Sequence, residues 1–268
     1  MIAAIATNDG YTWVDPASST CRYGNLPDRD QGRKGFLIGD HKAMFVDIPI
    51  FPAHANQLLV KTEIQLTEQG TAEGEISVQT KGQYNLDSRF RYRSIAPGDW
   101  KNTIAVELSK QFPGISVDWV KFTNLENLNQ PVEILAGFHV DNYVQSIGTR
   151  MLLPLPIDEF AGFGELFAPA TRQHSLNLGH PMQIQKEILI SVPNHWQVSL
   201  PRALNTESDF ATLERRYSRD GNVIRYSLRF TLRKSIIASK DYHTAKRFFD
   251  TLAKEDHGRL IIERIEVD

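Results

Sequence analysis

The stretch FATLERRYSRDGNVIRYSLRFTLR, Phe210 to Arg233, decides the fold class. Asp220-Gly221-Asn222 stands between two runs rich in aromatic, β-branched and aliphatic residues, the pattern of a tight β-hairpin. Beyond the turn, Ile224, Tyr226, Leu228, Phe230 and Leu232 take every second position and so share one face. Arg225, Arg229 and Arg233 line the other. An alternation of period two means a sheet with one face buried and one face in water.

The same pattern recurs upstream. Leu58, Val60, Ile64 and Leu66 share a face, and Ile76 and Val78 continue it past the turn Glu68-Gln69-Gly70. Further strands are expected at ISVDWVKFT (115–123), PVEILAGFHV (131–140), MQIQKEILISV (182–192), HWQVSL (195–200) and RLIIERIEV (259–267). Two short hairpins are expected at the start of the chain. IAAIA pairs with YTWV through Asn8-Asp9-Gly10, and GFLI pairs with AMFVDIP through Gly39-Asp40-His41. Residues 1–48 alone are too short to complete a sheet.

Helices interrupt the strands at about 83–94 and 98–111. In the second, Trp100, Ile104 and Leu108 recur every four residues, and Pro113-Gly114 stops it. A third helix is expected over about 240–255, with Ser239 as its N-cap and Tyr242, Ala245, Phe249 and Leu252 facing inward. The fold class is mainly β, a β-rich α+β chain. Two sandwich-like units with helical insertions, residues 49–155 and 156–268, follow the opening segment 1–48, and Leu152–Pro156 (LLPLP) forms the crossover between them.

Composition narrows the function. The chain has 268 residues, 41% hydrophobic and 23% charged, enough for a large core and unlike a disordered chain. Its formal charge is −2, with Lys and Arg spread along it, so no nucleic-acid partner is expected. No apolar run approaches the roughly 18 residues that span a bilayer. The opening MIAAIATNDG lacks the basic leader of a signal peptide.

Candidate chemistry is sparse. Cys21 is the single thiol, and a catalytic cysteine needs a histidine and an orienting group. His41 lies nearest in sequence, but no spacing pairs the two. The eight histidines are scattered and the carboxylates do not cluster, so neither metal nor cofactor is expected. GRKG at 32–35 lacks a long glycine-rich phosphate loop and reads as a turn. The row Arg225, Arg229, Arg233 is the most charged surface feature, either a stripe for an anionic polymer or a solvated face partly neutralised by Glu214. Most aromatics fall in register with core positions, so no exposed Trp or Tyr platform for sugars can be picked out.

Asp15 remains. In Trp13-Val14-Asp15-Pro16 the residue before proline is held extended, and proline ends the ladder. The carboxylate is thereby presented at a strand terminus, where it either closes an ordinary Asp-Pro turn or orients an imidazole as the third member of a triad.

YTWVDPAS (11–18), the turn Gly24-Asn25-Leu26-Pro27 and the run Gln31-Gly32-Arg33-Lys34 together resemble the end of the catalytic domain in bacterial transglutaminase-like proteins, which have a papain-like fold. The resemblance continues through Gly70, Gly74 and Ile76, the helical pair, LLPLP, SLNLGHPMQIQKEILISVP (175–193) and the terminal helix before RLIIER. It thus covers nearly the whole chain, including the β-rich domains of unknown function that follow the catalytic domain in that family. The resemblance implies that residues 1–48 are a remnant of the transglutaminase-like sheet and that Asp15 matches the triad acid. The family order is Cys, His, Asp, so the nucleophile and base belong upstream, and Cys21 stands on the wrong side of Asp15.

The expected role is therefore a non-catalytic C-terminal accessory module that packs on the upstream transglutaminase-like catalytic region or positions its substrate. One alternative is half of a split cysteine peptidase or amide-transfer enzyme, supplying Asp15 to a partner chain. The other is a module that binds a cell-envelope polymer or protein. The resemblance also implies a periplasmic or extracytoplasmic setting for the full-length parent.

Overall fold

The computed structural model of the chain describes residues 1–8, 10–39, 43–147, 150–157, 160–254 and 258–264. Two hairpins come first. β1 (Ala3–Thr7) pairs antiparallel with β2 (Gly10–Val14), and β3 (Lys34–Ile38) with β4 (Ala43–Asp47). Each stays a two-stranded sheet. Trp13, Leu26 and Ile48 form a small core of their own beside them, with Ile2, Ala4, Val46 and Phe51 packed against it. Asp9, Asp40 and His41 of the expected turns lie outside the described residues.

The chain then builds β5 (Gln57–Leu66), β6 (Ala72–Lys81), α1 (Gln83–Tyr92), α2 (Trp100–Leu108), β7 (Ile115–Thr123) and β8 (Glu133–Val140). Gly82 sets the entry to α1. A Cβ there would lie 2.1 Å from the Ala55 carbonyl oxygen, and φ is +65°, a conformation natural only to glycine. Asn56 Oδ1 accepts the first helical N–H, that of Gln83, at 2.9 Å, so the buried helix start is satisfied.

The second half comprises β9 (Gln145–Ile147), β10 (Arg150–Pro154), α3 (Ala161–Leu166), β11 (Leu176–Asn177), β12 (Met182–Ser191), β13 (Trp196–Ser199) and β14 (Leu204–Glu207). β15 (Ala211–Asp220), β16 (Val223–Leu232), β17 (Ile236–Ile237), α4 (Tyr242–Lys254) and β18 (Arg259–Arg264) complete it. The protein is mainly β with few helices, as the alternation requires.

The two β-rich segments do not each close on themselves. They share one eight-stranded sheet, ordered β14-β15-β16-β12-β5-β6-β8-β7. The joint is the parallel pairing of Gln57–Gln65 in β5 with Gln183–Ser191 in β12. Each segment would otherwise end in a bare row of N–H and C=O groups, and pairing β5 with β12 removes both edges. The expected crossover at Leu152–Pro156 is mostly strand. β10 is an inner member of a second sheet, β13-β18-β10-β9, in which Met151 faces Ile262 and Leu153 faces Leu260. Met151, Leu153, Leu260 and Ile262 are all buried.

One hydrophobic core spans both halves of the central sheet. The predicted inward row of β16 is borne out: Ile224, Tyr226, Leu228, Phe230 and Leu232 are all at most 1% exposed. Phe160 meets Phe230 edge-on, and Phe248 of α4 meets Phe210. Tyr242, Ala245, Phe249 and Leu252 face inward as predicted. Ser239 does not stand at the N-cap of α4. It opens a 3-10 turn, Ser239–Asp241, whose tighter winding brings the Asp241 N–H to the Ala238 carbonyl at 2.9 Å. The opposite face of the central sheet carries Lys61, Glu63, Glu73, Glu75, Gln185, Arg225 and Arg229, and it is left to solvent.

Candidate functional site

Asp15 follows β2 directly, and its side chain is 4% exposed. One carboxylate oxygen accepts the Ala17 N–H at 3.0 Å, closing a turn over Pro16. The other accepts from Arg29 Nη2 at 3.4 Å. Both oxygens are thus engaged locally, and among the described residues no imidazole reaches them. His41 lies outside the described residues.

Cys21 is buried beside this turn, with its Sγ 3.6 Å from the Arg22 carbonyl oxygen. Burial above all, then the charges of Asp15 and Asp30, pushes the thiol up to about 11. A nucleophilic cysteine needs the reverse, an electropositive surrounding that favours thiolate. In GRKG the N–H of Gly32 is taken by the Ile48 carbonyl at 3.0 Å, and Lys34 pairs with Asp47 at 3.0 Å across β3 and β4. The segment is a turn entering a strand, and its first amide is already taken.

The arginine row is neutralised from both sides. Arg225 pairs with Glu187 of β12, and Arg233, just past β16, lies 3.4 Å from Glu207 of β14. Arg229 stands opposite Glu214 in register, while Glu214 itself pairs with Arg216. The acid on β15 expected to neutralise the row is joined by two others, from β12 and β14. Among the described residues, no group of three or more His, Cys, Asp or Glu side chains is placed to hold a metal ion.

A broad concavity lies elsewhere, on the open face of the central sheet. A groove of about 930 Å³ is lined by Trp119, Gly137, His139, Glu75, Glu63 and Leu189, among others. Five of these form parts of one cross-strand row: Trp119 opposite Gly137, Gly137 opposite Glu75, Glu75 opposite Glu63, and Glu63 opposite Leu189. His139 Nδ1 lies 2.9 Å from Asp118 Oδ1 at the groove's end.

Trp119 is an exposed aromatic that the alternation concealed. In β7, Ile115 and Val117 face the core at odd positions, but Val120 and Phe122 do so at even ones. The phase changes at a bulge between Val117 and Trp119, which turns Trp119 to the open face with 41% of its surface exposed. The signal was present in ISVDWVKFT as a change of apolar phase, together with Gly137 in the paired strand.

Residues 149–262 match a family described as "Domain of Unknown Function with solved-structure structure (DUF3858)". That span runs from β10 to near the end of β18. No curated protein matches the chain. Among solved structures, the chain is similar to one described as a "putative protease" from Parabacteroides distasonis, with TM-score 0.39 and 13% identity over 44% of this chain and 24% of that one. The match spans about a quarter of that protein's length.

Proposed function

We propose that this chain is a non-catalytic accessory module of a larger protein, packing on a transglutaminase-like catalytic region that carries the nucleophile and base. The observation that carries this reading is the state of the two candidate catalytic residues. Asp15 spends its carboxylate on Ala17 and Arg29, and Cys21 is a buried thiol held protonated at neutral pH. A domain of unknown function over residues 149–262 is in keeping with an accessory part. The two unpaired hairpins support docking. They expose Ile5, Tyr11, Phe36, Met44 and Phe45 on sheets that end after two strands, and such edges are ready to add neighbours.

The test is enzymatic. The isolated chain should release no amine or ammonia from glutamine- or peptide-amide substrates, and Cys21→Ser should leave that blank rate unchanged. Thiol-dependent turnover that disappears in Cys21→Ser would overturn the reading. If an added upstream polypeptide carrying Cys and His restores activity, Asp15→Ala should leave that activity intact. A sharp fall would instead make this chain half of a split enzyme.

A further inference from the structure

We propose that the groove on the open face of the central sheet binds an extended polypeptide segment bearing lysine or arginine, with one cationic head seated on the indole of Trp119. This goes beyond the accessory role and does not depend on it.

The aromatic platform is built into the sheet. The β7 bulge turns Trp119 outward, and its indole lies over Gly137, where a Cβ would come within 2.1 Å of Nε1. The ring is therefore supported by the Gly137 backbone, and it lines the groove with 41% of its surface exposed. A cation placed over an aromatic face is attracted by the ring's quadrupole, most strongly for tryptophan.

Charge decides the occupant. Five carboxylates line the groove, those of Glu63, Glu73, Glu75, Asp118 and Asp141, and no Lys or Arg does. Lys61 reaches Glu63 at 2.6 Å and His139 meets Asp118. Among the described residues, Glu73, Glu75 and Asp141 have no basic partner. Glu63 and Glu75 stand directly opposite each other on β5 and β6, a like-charge pairing that Lys61 relieves only from the Glu63 side. An anionic polymer would be repelled here. A neutral glycan could stack on the indole but would leave the carboxylate excess uncompensated.

The groove's course fits a chain. It crosses six strands, from Trp119 on β7 to Val223 on β16, which at strand spacing is about 24 Å. That length matches about seven extended residues. Apart from β7 at the sheet edge, the strands crossed are paired on both sides, and the groove runs across the strands rather than along that edge, so recognition falls to side chains rather than to strand addition.

The experiment measures fluorescein-labelled hexalysine binding to the full chain by anisotropy at about 0.15 M salt, where charges are screened beyond about 8 Å, with neutral chitohexaose as the competing class. Binding should weaken at least about fivefold in Trp119→Ala, and comparably in the double variant Glu63→Gln/Glu75→Gln, which preserves side-chain shape. Glu207→Gln/Glu214→Gln removes equal charge at the far end of the same face and should stay within about twofold, since screening confines each charge's reach. Native circular dichroism confirms folding of each variant. Equal binding by Trp119→Ala, or equal losses in both double variants, would overturn the proposal. So would Trp119-dependent saturation by chitohexaose without hexalysine binding.

Discussion

The indole of Trp119 rests on Gly137, its cross-strand partner, on the open face of the sheet. Glycine is required by this contact, because any side chain at Gly137 occupies the indole's place. Gly137→Ala should swing the ring outward, increasing acrylamide quenching of the Trp119 signal measured against Trp119→Phe. Stability should change by less than about 1 kcal/mol, since the displaced ring is already partly in water and alanine restrains the unfolded chain more than glycine does. Unchanged quenching would show that the ring has room to stay.

The β15–β16 hairpin should anchor stability. Leu228 is 1% exposed within the inward row, whereas Arg229 beside it faces solvent. Leu228→Ala should cost about 2–5 kcal/mol as a cavity opens in the core. Arg229→Ala should stay within about 0.5 kcal/mol, as surface sites do. Urea denaturation distinguishes them, and similar midpoints would contradict the facing.

Hydrogen exchange should be fastest in the first hairpins. β1–β2 and β3–β4 are each two strands wide and rest on the small cluster of Trp13, Leu26 and Ile48, whereas β5 and β12 are paired on both sides inside the large sheet. Few buried apolar contacts mean a low free energy of local opening. Protection of Ala3–Val14 equal to that of β5 and β12 would mean that a partner covers these strands in solution.

Cys21 should be sluggish toward iodoacetamide at pH 8 in the native chain and fast once the chain is unfolded. Its thiol rises from the ordinary 9.0 to about 11 because burial penalises the thiolate. The sign for stability follows. Below pH 9 the thiol is neutral in both states and the native chain loses nothing, whereas between 9 and about 11 the unfolded chain ionises first and stability falls. Cys21→Ser, which removes the titrating group, should flatten that part of the urea-midpoint profile. A profile unchanged by the substitution would assign the loss to other groups.

Local pattern was enough for much of this protein. The inward row Ile224 to Leu232, the turn at Asp220-Gly221-Asn222 and the inward face of α4 all follow from the spacing of apolar residues. Such spacing acts within one element, where side-chain direction is dictated by the backbone's own period. Three features belong to the tertiary structure alone. β5 and β12 pair in parallel although more than a hundred residues separate them, and LLPLP becomes a strand because β18 returns from the end of the chain to cover it. The carboxylate of Asp15 meets Arg29, fourteen residues further along the chain. Each depends on which distant backbone edge or charge arrives alongside, and period two says only that a strand has a buried face, not what lies against it.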